Sequence, residues 1–153
     1  MNSNHLIVFI LRSQDIISDS RILRYEKWFQ AHDISYRIVG WDRSGKNLER
    51  PYTVYCKQRA GYHQREKAIL NRLKWNFFLL KYLFFHRKEY NVIHACDFDT
   101  ILPALIFKFF GKKVVFDIFD WFSDEVRMGK IFVDKLINLL EKWAVRMSDL
   151  TII

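Results

Sequence analysis

Apolar residues fall in short continuous runs and longer periodic stretches that alternate along the chain. Leu6 to Leu11 is an unbroken apolar run closed by Arg12-Ser13-Gln14-Asp15, as in a strand buried on both faces of a parallel sheet. Ser18-Asp19-Ser20 supplies N-cap candidates for a helix in which Ile22, Leu23, Tyr25, Trp28 and Phe29 recur at helical spacing until His32-Asp33. Tyr36 to Trp41 reads as a second strand, Asp42 to Pro51 as a polar loop, and Tyr52 to Cys56 as a short edge strand. From Gln64 to Phe85 the residues Ile69, Leu70, Leu73, Phe77, Leu80 and Phe84 repeat near 3.6. The spacing predicts a long amphipathic helix with Arg65, Arg72 and Lys81 largely on other faces. Val92 to Cys96 reads as a buried strand. Asp99 or Thr100 then caps a helix running through Phe110, with Pro103 in its first turn and Gly111 at C′. Val114 to Phe116 makes another strand. Phe132, Leu136, Leu139, Leu140, Trp143 and Met147 stripe a helix after Gly129, and Leu150 to Ile153 opens one more strand.

Strands alternating with helices at this pace predict an α/β fold: a Rossmann-like parallel sheet with helices on both faces. A length of 153 residues suits one domain spanning 1–153. The final strand has no loop or helix after it, so the expectation is a truncated chain. At 50% hydrophobic and 27% charged the composition supports a sizeable core and excludes disordered or collagen-like classes. Cys56 and Cys96 fit neither a disulfide framework nor zinc spacing, which favours a reducing, cytoplasmic setting. The N-terminus lacks a basic n-region, and the apolar stretch Trp75 to Phe85 is far short of the ~20 residues a spanning helix needs.

Charge divides the chain. The net value is +8 with a pI near 9.6, yet Arg43 to Lys88 alone holds twelve Lys or Arg against Glu49 and Glu66, a local excess of ten. Asp97 to Glu125 reverses the sign, with six carboxylates against three lysines. The basic segment, with Arg65, Lys67, Arg72, Lys74, Lys81, Arg87 and Lys88, suits an anionic partner. A membrane surface is one reading, with Trp75, Phe77, Phe78, Tyr82 and Phe85 either entering the interface or packing on the sheet. Nucleic acid is a second reading, with Tyr52, Tyr55, Tyr62 and Trp75 stacking bases. No nucleic-acid-binding motif is visible, so no nucleic acid is expected.

Ligands of parallel α/β sheets bind outside the carboxyl ends of the strands, which directs attention to Gln14 to Arg21, His94 to Asp99 and Asp117 to Glu125. Asp97-Phe98-Asp99 directly follows a strand; such a pair can hold a divalent metal or serve a dehalogenase-type phosphatase. Asp99 as an N-cap and Asp97 as a loop acid is the plainer alternative. The crowding of Asp117, Asp120, Asp124 and Glu125 is expected to raise one carboxyl's pKa or to form a solvated acidic loop. No Gly-rich phosphate loop follows the first strand, and neither cofactor nor metal is expected. Cys96 is read as packing rather than a nucleophile.

With Asp19-Ser20-Arg21 opening the first helix, Tyr90-Asn-Val-Ile-His-Ala-Cys-Asp-Phe-Asp99, and Lys113-Val-Val-Phe-Asp-Ile-Phe-Asp-Trp-Phe122, the chain resembles the N-terminal, acceptor-side domain of family 4 glycosyltransferases. The resemblance implies one half of a GT-B architecture whose C-terminal, donor-binding domain is absent. It implies an acceptor-binding half of an enzyme moving sugar from a nucleotide-sugar to a polysaccharide or lipid-linked acceptor, inactive alone. A nucleotide-sugar would then bind only with a C-terminal domain or partner chain, and peripheral contact with the anionic inner membrane face is left open. His94 matches the first His of the family's His-x-His-Asp, Cys96 replaces the second, and Asp97 matches the acid. Phe119 stands where many members have His, shifting any sugar contact to Asp120. Arg21 meets either a phosphate or a carboxylate such as Asp19. The cleft residues implied are thus Asp120, Asp97, Asp99, His94, Arg21 and Asp117, with no catalytic residue assigned. The alternative is a basic nucleic-acid or anionic-membrane binding module without catalysis.

Overall fold

The computed structural model describes residues 6–59, 65–121 and 131–153, and side chains throughout these except at 65–69 and 131–133. The elements in chain order are β1 (Ile7–Arg12), α1 (Ser20–Ala31), β2 (Ser35–Trp41), β3 (Thr53–Cys56), α2 (Arg65–Phe85), β4 (Val92–Cys96), α3 (Phe98–Ile106), a 3₁₀ turn (Phe107–Phe110), β5 (Lys113–Asp117), α4 (Ile131–Met147) and β6 (Leu150–Ile152). The strands form one sheet in the order β3-β2-β1-β4-β5-β6, and every pairing is parallel. This is the Rossmann-like α/β fold that the alternation predicts, with the short β3 at an edge.

Side-chain alternation along the strands divides the core. Val8, Ile10 and Ile38 face α1, meeting Ile22 and Phe29. Phe9, Leu11, Val39, Ile93, Ala95, Val114 and Phe116 face the other way, against Trp75, Leu79 and Leu83 of α2, Ile101, Ala104 and Leu105 of α3, and Ala144 of α4. Both faces are covered, which is why the central strands read as continuous apolar runs rather than as alternating ones. Gly40 permits a close approach in β2: a Cβ there would stand 2.1 Å from Ile16 Cδ1. That space lets the β1–α1 connection, with buried Ile16, fold down onto the sheet.

Three helix details differ from the sequence-based expectation. Neither Asp99 nor Thr100 caps α3; Asp97 occupies the N-cap position without a side-chain cap bond, and the Thr100 hydroxyl donates back to the Cys96 carbonyl at 2.6 Å. The helix therefore starts one residue earlier than Asp99, and Pro103 lies in its second turn. The end is as expected: the 3₁₀ turn stops at Gly111, left-handed at φ 73°.

The larger difference concerns which faces are buried. In α2 the core residues are Trp75, Leu79 and Leu83, while Leu70, Leu73, Phe77 and Phe84 of the predicted stripe are exposed. Among the described side chains of α4 the buried positions are Glu141 and Ala144, and Leu136, Leu139, Trp143 and Met147 are exposed. Both helices carry apolar residues around most of their circumference, so spacing alone offers two candidate inner faces. The Phe132 and Ile69 side chains, and Gly129, lie outside the described residues.

A pair of truncations tests this orientation. Leu79→Ala is expected to lower urea unfolding stability by ~2–5 kcal/mol, whereas Phe77→Ala is expected to change it by about 0.5 kcal/mol or less.

Candidate functional site

The parallel register places the carboxyl ends of β1, β4 and β5 side by side: Leu11 pairs with Ala95, and Cys96 with Asp117. Their polar terminal residues converge there, and α1 begins above them. Asp117 ends β5 with no exposed side-chain surface. One oxygen, Oδ1, accepts from Arg21 Nη1 at 2.9 Å; the other, Oδ2, accepts from the Tyr25 hydroxyl at 2.7 Å and from His94 Nε2 at 3.2 Å. An ionised carboxylate only accepts, so His94 carries its hydrogen on Nε2 toward Asp117. Burial alone would push the Asp117 pKa up. The bonds from His94 and Tyr25 and the charge of Arg21 hold it below the usual carboxylate range. The same arrangement, with burial as the larger cause, raises the Tyr25 hydroxyl well above its ordinary value.

A second buried ion cluster adjoins the first. Arg12, the last residue of β1, donates from Nε to Asp19 Oδ2 at 2.8 Å and from Nη1 to Asp97 Oδ2. Asp19 is the N-cap of α1, its other oxygen receiving the amides of Arg21 and Ile22 at 3.0 and 3.2 Å, so the cap and the ion pair fix the helix start together. Phe119 joins the two clusters: the Arg12 and Arg21 guanidinium carbons each stand 3.8 Å from its ring centroid. Asp97 adopts φ 71°, ψ 166°, a region nearly reserved for glycine that costs on the order of 1–3 kcal/mol. Its amide donates to the Asp117 carbonyl at 3.0 Å, and its carboxylate meets Arg12, so the surroundings enforce the conformation. Desolvation pushes the Asp97 pKa up to about 6 against the pull of Arg12. A carboxyl poised there can take or give a proton near neutrality.

These groups wall a cleft of about 100 Å³ lined by Arg12, Gln14, Arg43, Arg72, Asp97, Asp99, Phe119 and Asp120, among others. It is well below the ~300–1,000 Å³ of a site that engulfs a ligand. A larger groove, about 740 Å³, lies at the opposite edge among Phe29, Tyr36, Arg37, Tyr52 and Glu89. The smaller cleft is the better candidate because the buried ion clusters and the strained backbone lie there, at the carboxyl edge where such sheets bind ligands.

The six expected cleft residues thus divide. His94, Arg21 and Asp117 form one buried cluster. Asp97 belongs to the adjoining one, and Asp99 pairs with Arg43 at 3.8 Å. Asp120 is exposed and lines the same cleft. Arg21 pairs with a carboxylate, although Asp117 rather than Asp19. Of the crowded carboxylates Asp117, Asp120, Asp124 and Glu125, Asp117 faces Arg21 and has its pKa lowered, while Asp120 is exposed; the raised carboxyl lies outside that group, at the half-buried Asp97. Asp124 and Glu125 lie outside the described residues. The D-x-D carboxylates face two different arginines, Asp97 meeting Arg12 and Asp99 meeting Arg43. His94, Cys96 and Asp117 place donor atoms within 4.8 Å of one another, with His94 and Asp117 already joined by a hydrogen bond of 3.2 Å. Burial, aided by Asp117, holds the Cys96 thiol well above its ordinary pKa, leaving it a packed thiol rather than a nucleophile. Arg12, Tyr25 and Arg43 were not expected at the site, whereas Asp19 fell within the stretch Gln14 to Arg21. Arg12 had a visible signal, a charged residue ending a buried apolar strand.

Of the expected basic patch, Arg72 lines the cleft, Lys74, Lys81 and Lys88 are exposed on or just after α2, and Arg87 lies over Phe84. The Arg65 and Lys67 side chains lie outside the described residues.

No family model and no curated protein matches the chain. Among solved structures it is similar to the UDP-GlcNAc 2-epimerase from Methanocaldococcus jannaschii, with TM-score 0.51 and 16% identity, over 95% of this chain and 38% of that one. The chain therefore spans well under half the neighbour's length. The likeness supports a GT-B-like, Rossmann-type fold and does not single out family 4 glycosyltransferases.

Because the folded state holds the Asp97 proton more tightly than an unfolded Asp at 3.8 does, Asp97 lowers stability as pH rises through that interval. The wild type is expected to lose stability relative to Asp97→Asn between pH 3.8 and about 6, with little further change above. Urea midpoints of both proteins across that range check this.

Proposed function

We propose that the chain is the acceptor-binding wall of a GT-B enzyme of nucleotide-sugar chemistry, in the manner of the family 4 glycosyltransferases it resembles. The observation that carries this is the convergence of two adjoining strand-end clusters, His94, Asp117 and Arg21 in one and Asp97 in the other, beside a shallow polar cleft. The structural neighbour is a UDP-GlcNAc 2-epimerase, which is consistent with nucleotide-sugar chemistry. In this reading the acceptor hydroxyl lies against Asp120 and Asp97 and attacks the anomeric carbon of the donor. The bond from that carbon to the diphosphate breaks, the nucleoside diphosphate departs with the electron pair, and Asp97 takes the hydroxyl proton. Arg43 and Arg72 hold the cleft's arginine side, and Gln14 offers an amide to sugar hydroxyls. The donor binds a second domain or a partner chain. Two free, buried cysteines fit a reducing cytoplasmic setting.

Amide chemical shifts followed during titration test the assignment. Chitobiose and octyl glucoside, as saccharide and lipid-like acceptor probes, are expected to shift Gln14, Phe98 and Asp120. Asp120→Ala is expected to weaken that binding roughly tenfold or more, the loss of one hydrogen bond to a charged group. UDP-GlcNAc alone is expected to bind poorly. Tight UDP-GlcNAc binding by the chain alone, or sugar-induced shifts confined to Tyr36 and Tyr52 in the opposite groove, would contradict the assignment.

A further inference from the structure

Helix α2 carries two apolar faces, and the fold uses one. Trp75, Leu79 and Leu83 lie in the core. On the other side Leu70, Leu73, Phe77, Phe84 and Phe85 project outward, with Phe77 69% and Phe85 68% exposed. The 3₁₀ turn extends this surface: Phe110 packs edge-on against Phe84 with ring centroids 6.2 Å apart, and Phe109 is 91% exposed. Large apolar side chains assembled this way mark a contact surface rather than scattered surface residues.

The charges beside that surface identify its partner. From Leu70 to Lys88 the sequence has five Lys or Arg and no Asp or Glu. Lys74 and Lys81 fall at helical spacing beside Leu70, Phe77, Phe84 and Phe85, within the apolar stripe itself. Both are exposed, and among the described residues neither they nor Lys88 enter an ion pair. Lysines inside an apolar stripe can bury their stems and lift their ammonium groups to an anionic boundary. Apolar side chains below and cations at the rim are the composition of a helix lying in a bilayer interface. Leu70 and Leu73 offer nothing to nucleotide bases. No helix among the described residues is long and apolar enough to cross a membrane, so the contact is peripheral.

We propose that the outer face of α2, with Phe109 and Phe110, docks the protein on the anionic leaflet of a lipid bilayer. The aromatic rings enter the interface, and Lys74, Lys81 and Lys88 lie at the headgroup phosphates. The inference stands on exposure and charge and is independent of any sugar chemistry in the cleft. It also divides the aromatic set seen in the sequence: Trp75 is buried and Phe78 and Tyr82 are half-buried against the core, while Phe77 and Phe85 are available to lipid.

Co-sedimentation of the full chain with vesicles tests it, comparing pure phosphatidylcholine with phosphatidylcholine containing phosphatidylglycerol, at low and high salt. The wild type is expected to sediment with the phosphatidylglycerol vesicles and to be partly released by salt. Lys74→Gln and Lys81→Gln are each expected to weaken partitioning roughly fivefold. Phe85→Ser combined with Phe109→Ser is expected to weaken it tenfold or more. Thermal unfolding of the double variant should match the wild type; should it melt early, Phe109→Ala alone carries the comparison. Wild type that stays in solution, serine variants that sediment unchanged, or lipid-free dimerisation abolished by Phe109→Ala would overturn the proposal. So would salt-sensitive RNA binding with no preference for anionic lipid.

Discussion

Asp117 is a carboxylate removed from solvent at the end of β5, and its burial constrains what stands around it. An unpaired charge there would cost several kcal/mol. The fold answers with three donors from two elements, Arg21 and Tyr25 of α1 and His94 of β4. These contacts reach across 96, 92 and 23 residues of sequence. They tie the helix on one face of the sheet to the ends of two strands, and they hold the peptide that follows β5, because Arg21 also donates to the Ile118 carbonyl at 3.3 Å. The direction in which Phe119 and Asp120 leave the sheet follows from that.

The second constraint grows from the first. With Arg21 fixed on Asp117, its guanidinium lies on Phe119, whose ring also receives Arg12. Arg12 is in turn divided between the cap of α1 and Asp97. Removing any one of these groups takes a partner from a charge that is buried or half-buried, so the cluster behaves as a unit. The strained Asp97 backbone persists because this unit over-determines it. The result is a pre-organised wall: charges matched within the protein, one carboxyl poised near neutrality, and Asp120 left exposed. The exposed stripe of α2 is a separate demand on the molecule, running along the helix whose Arg72 reaches the same cleft.

The strands were legible in the sequence because they are short, largely apolar runs with polar closure, buried most fully in β1 and β4, and the alternation with helices then allowed few topologies. His94, Asp97 and Asp117 were legible as site residues for the same reason: a parallel sheet brings its strand ends together. Their partners were not. Nothing local in Arg12 or Tyr25 says which carboxylate it meets, since the pairing is set by register between strands distant in sequence. The lowered pKa of Asp117 was illegible on this account, as counting carboxylates leaves out the arginine that the fold delivers to it. Helix faces failed for a different reason. A helix with Leu70, Leu73, Phe77 and Phe84 on one side and Trp75, Leu79 and Leu83 on the other has two hydrophobic stripes, and only the packing partner decides between them.

The central claim is that Asp117 and its donors act as one energetic unit that sets the carboxyl edge. A double-mutant cycle on Arg21→Met and Asp117→Asn, read by urea unfolding, measures this directly. The account predicts a coupling energy of ~1–3 kcal/mol, each single change costing more than its share of the double. Effects that add to within about 0.5 kcal/mol would show the two residues to be independent and would contradict it.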